Sequence, residues 1–389
     1  MSIWIPFGPQ HPALKEPMNF MFEVSDEKVL SVRPRLGYIH RGIEKLAEGR
    51  TYNQNLYLIE RICGICSFAH VTCFSQAVEE LLNIEIPQRA KYIRTILAEI
   101  ERIQNHFLWL GDVAHEIGFN TLFMYSWRDR EVALRLVETI SGKRVNYAMN
   151  TIGGVRRDIT STMIKSLKWG LMELEKRAKY YKEVCTRDPI VLRRTVGVGI
   201  LSPSDALELC AVGPTIRASG VQRDVRIDDP YAAYEEIPFK LIKCDGCDVA
   251  SRIIVRLDEI LESINIIRYA LNNLPDGDVR VRVPRQVPEG ESVSRVEAPR
   301  GENLHYVRAD DTEKPARVKV RAPTLANILS LCKMLVGGNI ADIPVIVAGI
   351  DPCIACAERV AFVDTTTEKH WIWNKEDLRR YATTWYQKE

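Results

Sequence analysis

Arg61-Ile62-Cys63-Gly64-Ile65-Cys66-Ser67-Phe68-Ala69-His70 sets two thiols three residues apart, with a histidine four residues beyond the second. A matching pair stands near the other end of the chain, in Asp351-Pro352-Cys353-Ile354-Ala355-Cys356-Ala357-Glu358-Arg359. Four thiolates at matched spacing can hold one metal centre if the fold brings the two pairs together. On spacing alone, structural zinc and a redox metal fit equally well. The surroundings favour the redox metal. Zinc ribbons hold their pairs on short loops of small modules, whereas here most of the chain and several helical stretches lie between them. His70 can donate a hydrogen bond to a coordinated thiolate. Arg61, Arg300 and Arg359 offer fixed positive charge to a thiolate-rich site. Glu16 and Glu44 lie in segments that can reach it and suit proton transfer. Either carboxylate would serve equally well in an ordinary surface ion pair.

Composition narrows the class. With 389 residues, 46% hydrophobic and 27% charged, the chain reads as globular and large enough for a substantial core. A formal net charge of +2 gives no sign of nucleic-acid binding by bulk charge. No apolar run approaches the roughly 18 residues of a membrane span. The start, Met1-Ser2-Ile3-Trp4-Ile5-Pro6, does not read as a signal peptide, so a cytoplasmic location is expected. Six of the ten cysteines form Cys-x-x-Cys pairs, the third being Cys244 and Cys247. That third pair reads as structural or incidental thiols, with an accessory metal or redox pair as the alternative. Cys73, Cys185, Cys210 and Cys332 read as small buried hydrophobes.

The pattern predicts an α+β fold, mainly helical with small β regions. Residues 3–36 read as strands and turns, since Pro6, Pro9, Pro12 and Pro17 forbid a helix and Phe20, Phe22 and Val24 alternate. A helical bundle is expected over about 87–275. Its first helix starts at Pro87 and carries Ile93, Ile96, Leu97, Ile100, Ile103, Phe107 and Leu110 on one face. Asp129 is expected to cap the second, Ser161 to start the third, and Ile253 to Leu271 to lie on the fourth. A small β region follows over about 278–322, with Val279, Val281 and Val283 alternating and a hairpin around Asp310-Asp311. Thr324 to Leu335 reads as helix, and the apolar run Pro344 to Ile350 as a strand. Beyond Arg359, residues 360–389 read as a hairpin and a helix over Lys375 to Tyr386, capped by Asn374.

The paired motifs resemble the signatures of [NiFe]-hydrogenase large subunits, Arg-x-Cys-x-x-Cys-x-x-x-His and Asp-Pro-Cys-x-x-Cys-x-x-Arg. The terminal arginine, Arg359, is similar to the membrane-bound, energy-converting hydrogenases related to respiratory complex I. Gly8-Pro9-Gln10-His11-Pro12, Arg217-Ala218-Ser219-Gly220 with Asp224-Val225-Arg226, Glu297-Ala298-Pro299-Arg300-Gly301-Glu302 and Arg321-Ala322-Pro323-Thr324 resemble the same lineage. The likeness covers residues 3 to 359, read as one hydrogenase large-subunit-like domain.

The resemblance implies residue roles. Cys63 and Cys353 would be terminal nickel ligands. Cys66 and Cys356 would bridge nickel to an iron carrying cyanide and carbon monoxide. His70 would hydrogen-bond a bridging cysteine, and Arg300 would overhang the open position. Ala322, Pro323 and Thr324 would line the diatomic-ligand pocket, with the Thr324 hydroxyl toward a cyanide. Glu16 would be the proton gate, with Glu44 a weaker second candidate, and Cys353 would join Glu16 and Arg300 in catalysis. A third metal, magnesium or iron, near the C-terminal motif is left open. The implied partners are an iron–sulfur small subunit, ferredoxin-type electron-transfer proteins and membrane ion-translocating subunits, with this chain peripheral on the cytoplasmic side. Many family members lose the extension after the final motif. The aromatic residues of 360–389 favour a retained tail. Complex I-type quinone-linked and sulfane-sulfur-reducing relatives share the frame but lack some or all of the four cysteines, and a non-enzymatic zinc scaffold is the remaining alternative.

Overall fold

The computed structural model describes residues 2–357 and 375–386. The N-terminal prolines do exclude helix. β1 (Ile3–Phe7), β2 (Asn19–Ser25) and β3 (Lys28–Arg35) form an antiparallel sheet in that order. Phe20, Phe22 and Val24 point into the core on alternate positions. Short helices α1 (Ile43–Glu48) and α2 (Tyr52–Glu60) lead to the first cysteine pair, and α3 (Ser67–Leu81) leaves directly from it.

Four long helices build the bundle: α4 (Gln88–Glu116), α5 (Asn120–Ser141), α6 (Ser161–Arg187) and α7 (Val249–Asn272). All seven apolar positions read from the α4 periodicity are buried. Each such side chain contributes roughly 1.5–3 kcal/mol of apolar burial, which holds α4 as the central helix against α5 and α7. Pro87 lies just before α4 instead of within it. Thr160 caps α6 by accepting from Met163 N, and Asp248 caps α7 by accepting from Ser251 N at 2.8 Å.

Three expectations are corrected. Asp129 does not cap α5, which begins nine residues earlier at Asn120. It is buried in mid-helix, accepting from the Tyr181 hydroxyl of α6 and bonding Arg128. A buried carboxylate needs such partners. Val279 to Val283 forms no strand of its own. Its one strand-type pairing is the bridge Gly154–Arg280 to the short hairpin 150–155, while Val279 and Val283 pack against the core. Pro344 to Ile350 is mostly helix, Ile343–Gly349, with Pro344 in the first turn. A short, wholly apolar run carries no period to separate helix from strand, and proline suits a helix start.

The second three-stranded sheet is antiparallel: β4 (Gly290–Ala298), β5 (Gly301–Ala309) and β6 (Arg317–Arg321). The β5–β6 connection contains Asp310 and Asp311, as expected for the hairpin. β4 and β5 join through Pro299-Arg300, so Arg300 sits at the tip of a tight hairpin. Gly213 and Gly301 permit the hairpin to press against the 212–213 backbone. Both have positive φ, and a Cβ on Gly213 would lie 2.4 Å from Arg300 O. Then α8 (Pro323–Leu335), α9 (Ile343–Gly349) and the short α10 (Ile354–Ala357) deliver the second cysteine pair. α11 spans Lys375–Tyr386. The expected hairpin of the tail, Asn374 and Arg359 lie outside the described residues.

Candidate metal centre

The first pair sits in the turn between α2 and α3, and the second flanks the start of α10. The fold brings them together. All four sulfurs lie within 4.8 Å of one another, and all four residues are buried. Cys63 Sγ is 3.3 Å from Cys353 Sγ, Cys66 Sγ is 3.9 Å from Cys356 Sγ, and Cys353 and Cys356 are 2.9 Å apart. Ile65 N and Cys66 N donate to Cys63 Sγ at 3.2 and 3.3 Å. Hydrogen bonds from Cys353, Cys356 and Cys66 hold Cys63 well below the ordinary thiol range, while burial pushes Cys356 well above it. The cluster thus favours a shared negative charge, which a soft cation would extend to all four sulfurs.

One residue ties the two loops to each other, and two more anchor them to the neighbouring helices. The Arg41 guanidinium donates to Arg61 O at 2.9 Å and Ile62 O at 2.7 Å on one loop, and to Ala355 O at 3.3 Å on the other. Thr324 Oγ1 accepts from Cys353 N at 3.0 Å, which leaves its own hydrogen free to donate. Glu101 of α4 accepts from Phe68 N and Ala69 N at 2.7 and 2.9 Å. Cys66 occupies the α3 cap position and makes no side-chain cap. Glu101 therefore supplies from another helix the cap that the local sequence omits.

Arg300 is buried beside the thiols. Its Nε donates to Asp351 O and its Nη2 to Asp351 Oδ1, both at 2.7 Å. With its amide assigned by this network, Asn105 accepts from Arg300 Nη1 at 2.9 Å and donates to Asp351 Oδ2 at 3.0 Å. A cavity of about 260 Å³ opens here, lined by Glu16, Trp109, Asp112, Arg300 and Cys353. Glu16 Oε2 accepts from Ala355 N at 2.8 Å, and burial raises its carboxyl above the usual range. Burial pushes Asp112 up to about 6, although Lys15 stands 3.9 Å away.

The remaining expected residues divide. Glu44 lines a smaller pocket with Arg41 and Cys356, but its carboxylate accepts from Lys319 Nζ at 2.8 Å and Val320 N at 2.9 Å, tying α1 to β6. His70 does not bond a cysteine in this structure. Its Nδ1 lies 3.1 Å from His305 Nε2, and its Nε2 has no hydrogen-bond partner among the described residues. Ala322 and Pro323 are buried at the start of α8, directly before Thr324, whose hydroxyl holds the Cys353 backbone. Arg61 is exposed and donates to Tyr57 O. Cys244 and Cys247 are half-buried outside the four-thiol group, donating through their backbone to Arg217 O and Ala218 O.

Sequence reasoning gave no role to Arg41, Glu101, Asn105, Asp112, His305 or Asp351. Asn105 and Asp112 lie two turns apart on α4, but that helix carries many other polar residues, so nothing in its sequence singles them out. Arg41 stands three residues before Glu44, and Asp351 opens the second cysteine motif.

A mainly helical α+β fold with two Cys-x-x-Cys pairs closed into one buried group defines a hydrogenase-large-subunit type of protein. Family comparison agrees. Residues 116–287 and 281–359 match the respiratory-chain NADH dehydrogenase 49 kDa subunit, and residues 41–175 match the nickel-dependent hydrogenases. The membrane-bound hydrogenase subunit alpha of Pyrococcus furiosus is 40% identical over 92% of this chain and 88% of its own. An NADH-quinone oxidoreductase subunit of Clostridium beijerinckii is 38% identical over 91% of this chain and 96% of its own. A solved chain of the membrane-bound sulfane sulfur reductase, an archaeal respiratory membrane complex, superposes with a TM-score of 0.87 at 32% identity, covering 92% of this chain and 98% of that one. The chain belongs to this family of complex I 49 kDa-type subunits and membrane-bound hydrogenase large subunits. Among the described residues no helix is long and apolar enough to cross a membrane.

Proposed function

We propose that this chain is the catalytic large subunit of an energy-converting [NiFe]-hydrogenase. The observation that carries the reading is the buried group of four thiols drawn from both ends of the chain. The donor set fits the metals. Thiolates suit nickel and iron, and the unpartnered Nε2 of buried His70 and the spare hydrogen of Thr324 are polar groups available to such a centre. Cys63 and Cys353 would bind nickel, and Cys66 and Cys356 would hold nickel and iron together, the iron carrying cyanide and carbon monoxide.

When bound, the metals would supply the reversible splitting of dihydrogen into electrons and protons. The protein's part is positional and protolytic. Arg300, fixed by Asp351 and Asn105, keeps a positive charge at the wall of the cavity beside Cys353. Glu16, which lines the same cavity as Cys353 and whose carboxyl burial raises, would take up a proton leaving the Cys353 sulfur and pass it outward. Glu44, neutralised by Lys319, is the lesser route.

Electrons would leave through an iron–sulfur small subunit to a ferredoxin-type partner, since no second cysteine set on this chain suits a cluster. Membrane ion-translocating subunits would couple the reaction, with this chain peripheral on the cytoplasmic side. The structural likeness to a sulfane sulfur reductase makes sulfur reduction the second reading.

Metal analysis of the purified complex, with infrared spectroscopy of the carbonyl and cyanide region, tests the proposal. Nickel and iron in equal amounts with those bands is the expected result. Zinc alone without bands would leave a non-enzymatic scaffold. A loaded centre that turns over sulfane sulfur and not dihydrogen would move the assignment to the second reading.

A further inference from the structure

α9 is too short to hold its own end. It has seven residues, all apolar or glycine, and its last carbonyls need donors from elsewhere. Just past it the chain turns through Asp351, a non-glycine residue at φ +58, whose N–H returns to Ala348 O at 2.9 Å. Cys353 comes two residues later. The place of that thiol therefore depends on how the 348–351 turn is fixed.

Two side chains from other helices hold this turn. α9 packs against both α4 and α7. From α4, Trp109 Nε1 donates to Ala348 O at 2.7 Å. From α7, Arg256 Nη1 donates to Gly349 O at 3.4 Å, and to Arg252 O of its own helix at 3.2 Å. The two donors also meet each other. The Arg256 guanidinium carbon lies 4.0 Å from the centre of the Trp109 ring, and both side chains are buried. A cation is favourable at a helix C-terminus, and a guanidinium over an indole gains most where water is excluded.

The ring and the turn are the main partners Arg256 has. Its Nε and Nη2 make no hydrogen bond among the described residues. It forms no ion pair among them either. The carboxylates whose field reaches it, Asp351 and Glu259, pair with Arg300 and Arg217. A charge buried in this way is costly, so packing alone gives no reason for it. Trp109, Ala348, Asp351 and Cys353 all line the same cavity. The indole is thus a wall of the site and also the link from Arg256 to the turn.

We propose that Arg256 and Trp109 act as one clamp on the C-terminal turn of α9, positioning residues that set where Asp351 and Cys353 stand in the metal centre. The effect on turnover rests on the metal-centre reading, whereas the hold on the turn needs no metal.

The test compares the wild-type complex with Arg256→Lys, Arg256→Met and Trp109→Phe. Lysine keeps a cation over the ring, methionine keeps length without charge, and phenylalanine keeps the ring without its N–H. Infrared bands of the carbonyl and cyanide ligands and turnover per bound nickel are read on the loaded complex. Deuterium exchange at the Ile350 and Asp351 amides is read with and without metal. Arg256→Met and Trp109→Phe should shift the bands beyond their linewidth and speed that exchange. Their turnover should fall toward the roughly 10²-fold loss that a misplacement of about 1 Å brings. Arg256→Lys should stay close to the wild type in all three readings. Wild-type bands and turnover in Arg256→Met overturn the proposal, as does an Arg256→Lys protein that behaves like Arg256→Met. If Arg256→Met does not fold, Trp109→Phe decides, and wild-type bands and exchange in it overturn the clamp. If the wild type shows no carbonyl or cyanide bands, the hydrogenase reading fails while the exchange measurement still decides the clamp.

Discussion

Cys63 Sγ and Cys353 Sγ lie 3.3 Å apart across 290 residues of sequence. Neither loop can present two thiols to the other unless the N-terminal sheet, the bundle and α8–α10 are all in place. On the proposed reading, metal loading would therefore be tied to completed tertiary structure. Serine at either position keeps size and polarity but removes the soft ligand. Cys63→Ser or Cys353→Ser should lose nickel and all hydrogen turnover while thermal unfolding stays cooperative. Elemental analysis and calorimetry on the same sample check this. Nickel retained in full by Cys63→Ser would remove that residue from the ligand set.

Arg300 makes two bonds to Asp351, one to its carbonyl and one to its carboxylate. Lysine keeps the charge but cannot hold that fork. Arg300→Lys should retain the metals and lower turnover by about 10²-fold or more, the usual scale for losing a fixed charge-stabilising donor. Turnover per bound nickel is the quantity to measure.

Glu16→Gln keeps an oxygen to accept from Ala355 N and loses the exchangeable proton. Proton–deuteron exchange and dihydrogen turnover should fall by roughly 10²–10⁴-fold, the range for a removed acid–base group. The infrared bands should stay near their wild-type positions. A variant with normal exchange would assign the route to Asp112 or Glu44 instead.

Acid stability should follow the buried ion network of the bundle. Glu99 accepts from Ser263 and pairs with Arg102 and Arg226. Against the opposing effect of burial, the Arg102 and Arg226 charges hold it down at about 2, from an ordinary value of 4.5. A depressed carboxylate stabilises the fold above its unfolded pKa, and that contribution is lost as pH falls from 4.5 through about 2. The wild type should lose stability over that window. Glu99→Gln should be less stable by roughly 3–5 kcal/mol at neutral pH, because buried Arg102 loses its carboxylate partner and Arg226 keeps only Asp224, and its curve should be flatter on the acid side. Denaturant unfolding across the pH range reads both effects.

The cysteine pairs, the α4 stripe and the N-terminal prolines carried their meaning in the sequence because each depends on spacing or on one residue's backbone limits. Ile343–Gly349 did not, because a buried apolar helix of two turns has no polar face to mark its period. Asp129 misled for the opposite reason. Its carboxylate is satisfied by Tyr181 on another helix, a contact that no local rule contains. The site divides in the same way. The thiols, Arg300 and Thr324 lie in motifs, whereas Glu101 capping α3 and His305 meeting His70 exist only after the elements pack.

Gly213 offers a last test, of how the Arg300 hairpin is held. Its φ is +70, and a Cβ there would sit 2.4 Å from Arg300 O and 2.4 Å from Gly301 Cα. Gly197 has φ +71 with no atom within 4 Å of the same added carbon. Alanine at either position meets positive-φ strain, and at Gly213, where φ 70 with ψ −149 is a conformation essentially only glycine adopts, that strain is the greater. Only at Gly213 must backbone also move, and the backbone that moves carries Arg300. Gly197→Ala should therefore lose modest stability and keep full turnover per nickel. Gly213→Ala should lose more stability and also lower turnover toward the level of Arg300→Lys, with the metals still bound. Equal turnover in the two alanine variants would show that the hairpin tip is placed by its bonds to Asp351 alone, independent of the surface it rests on.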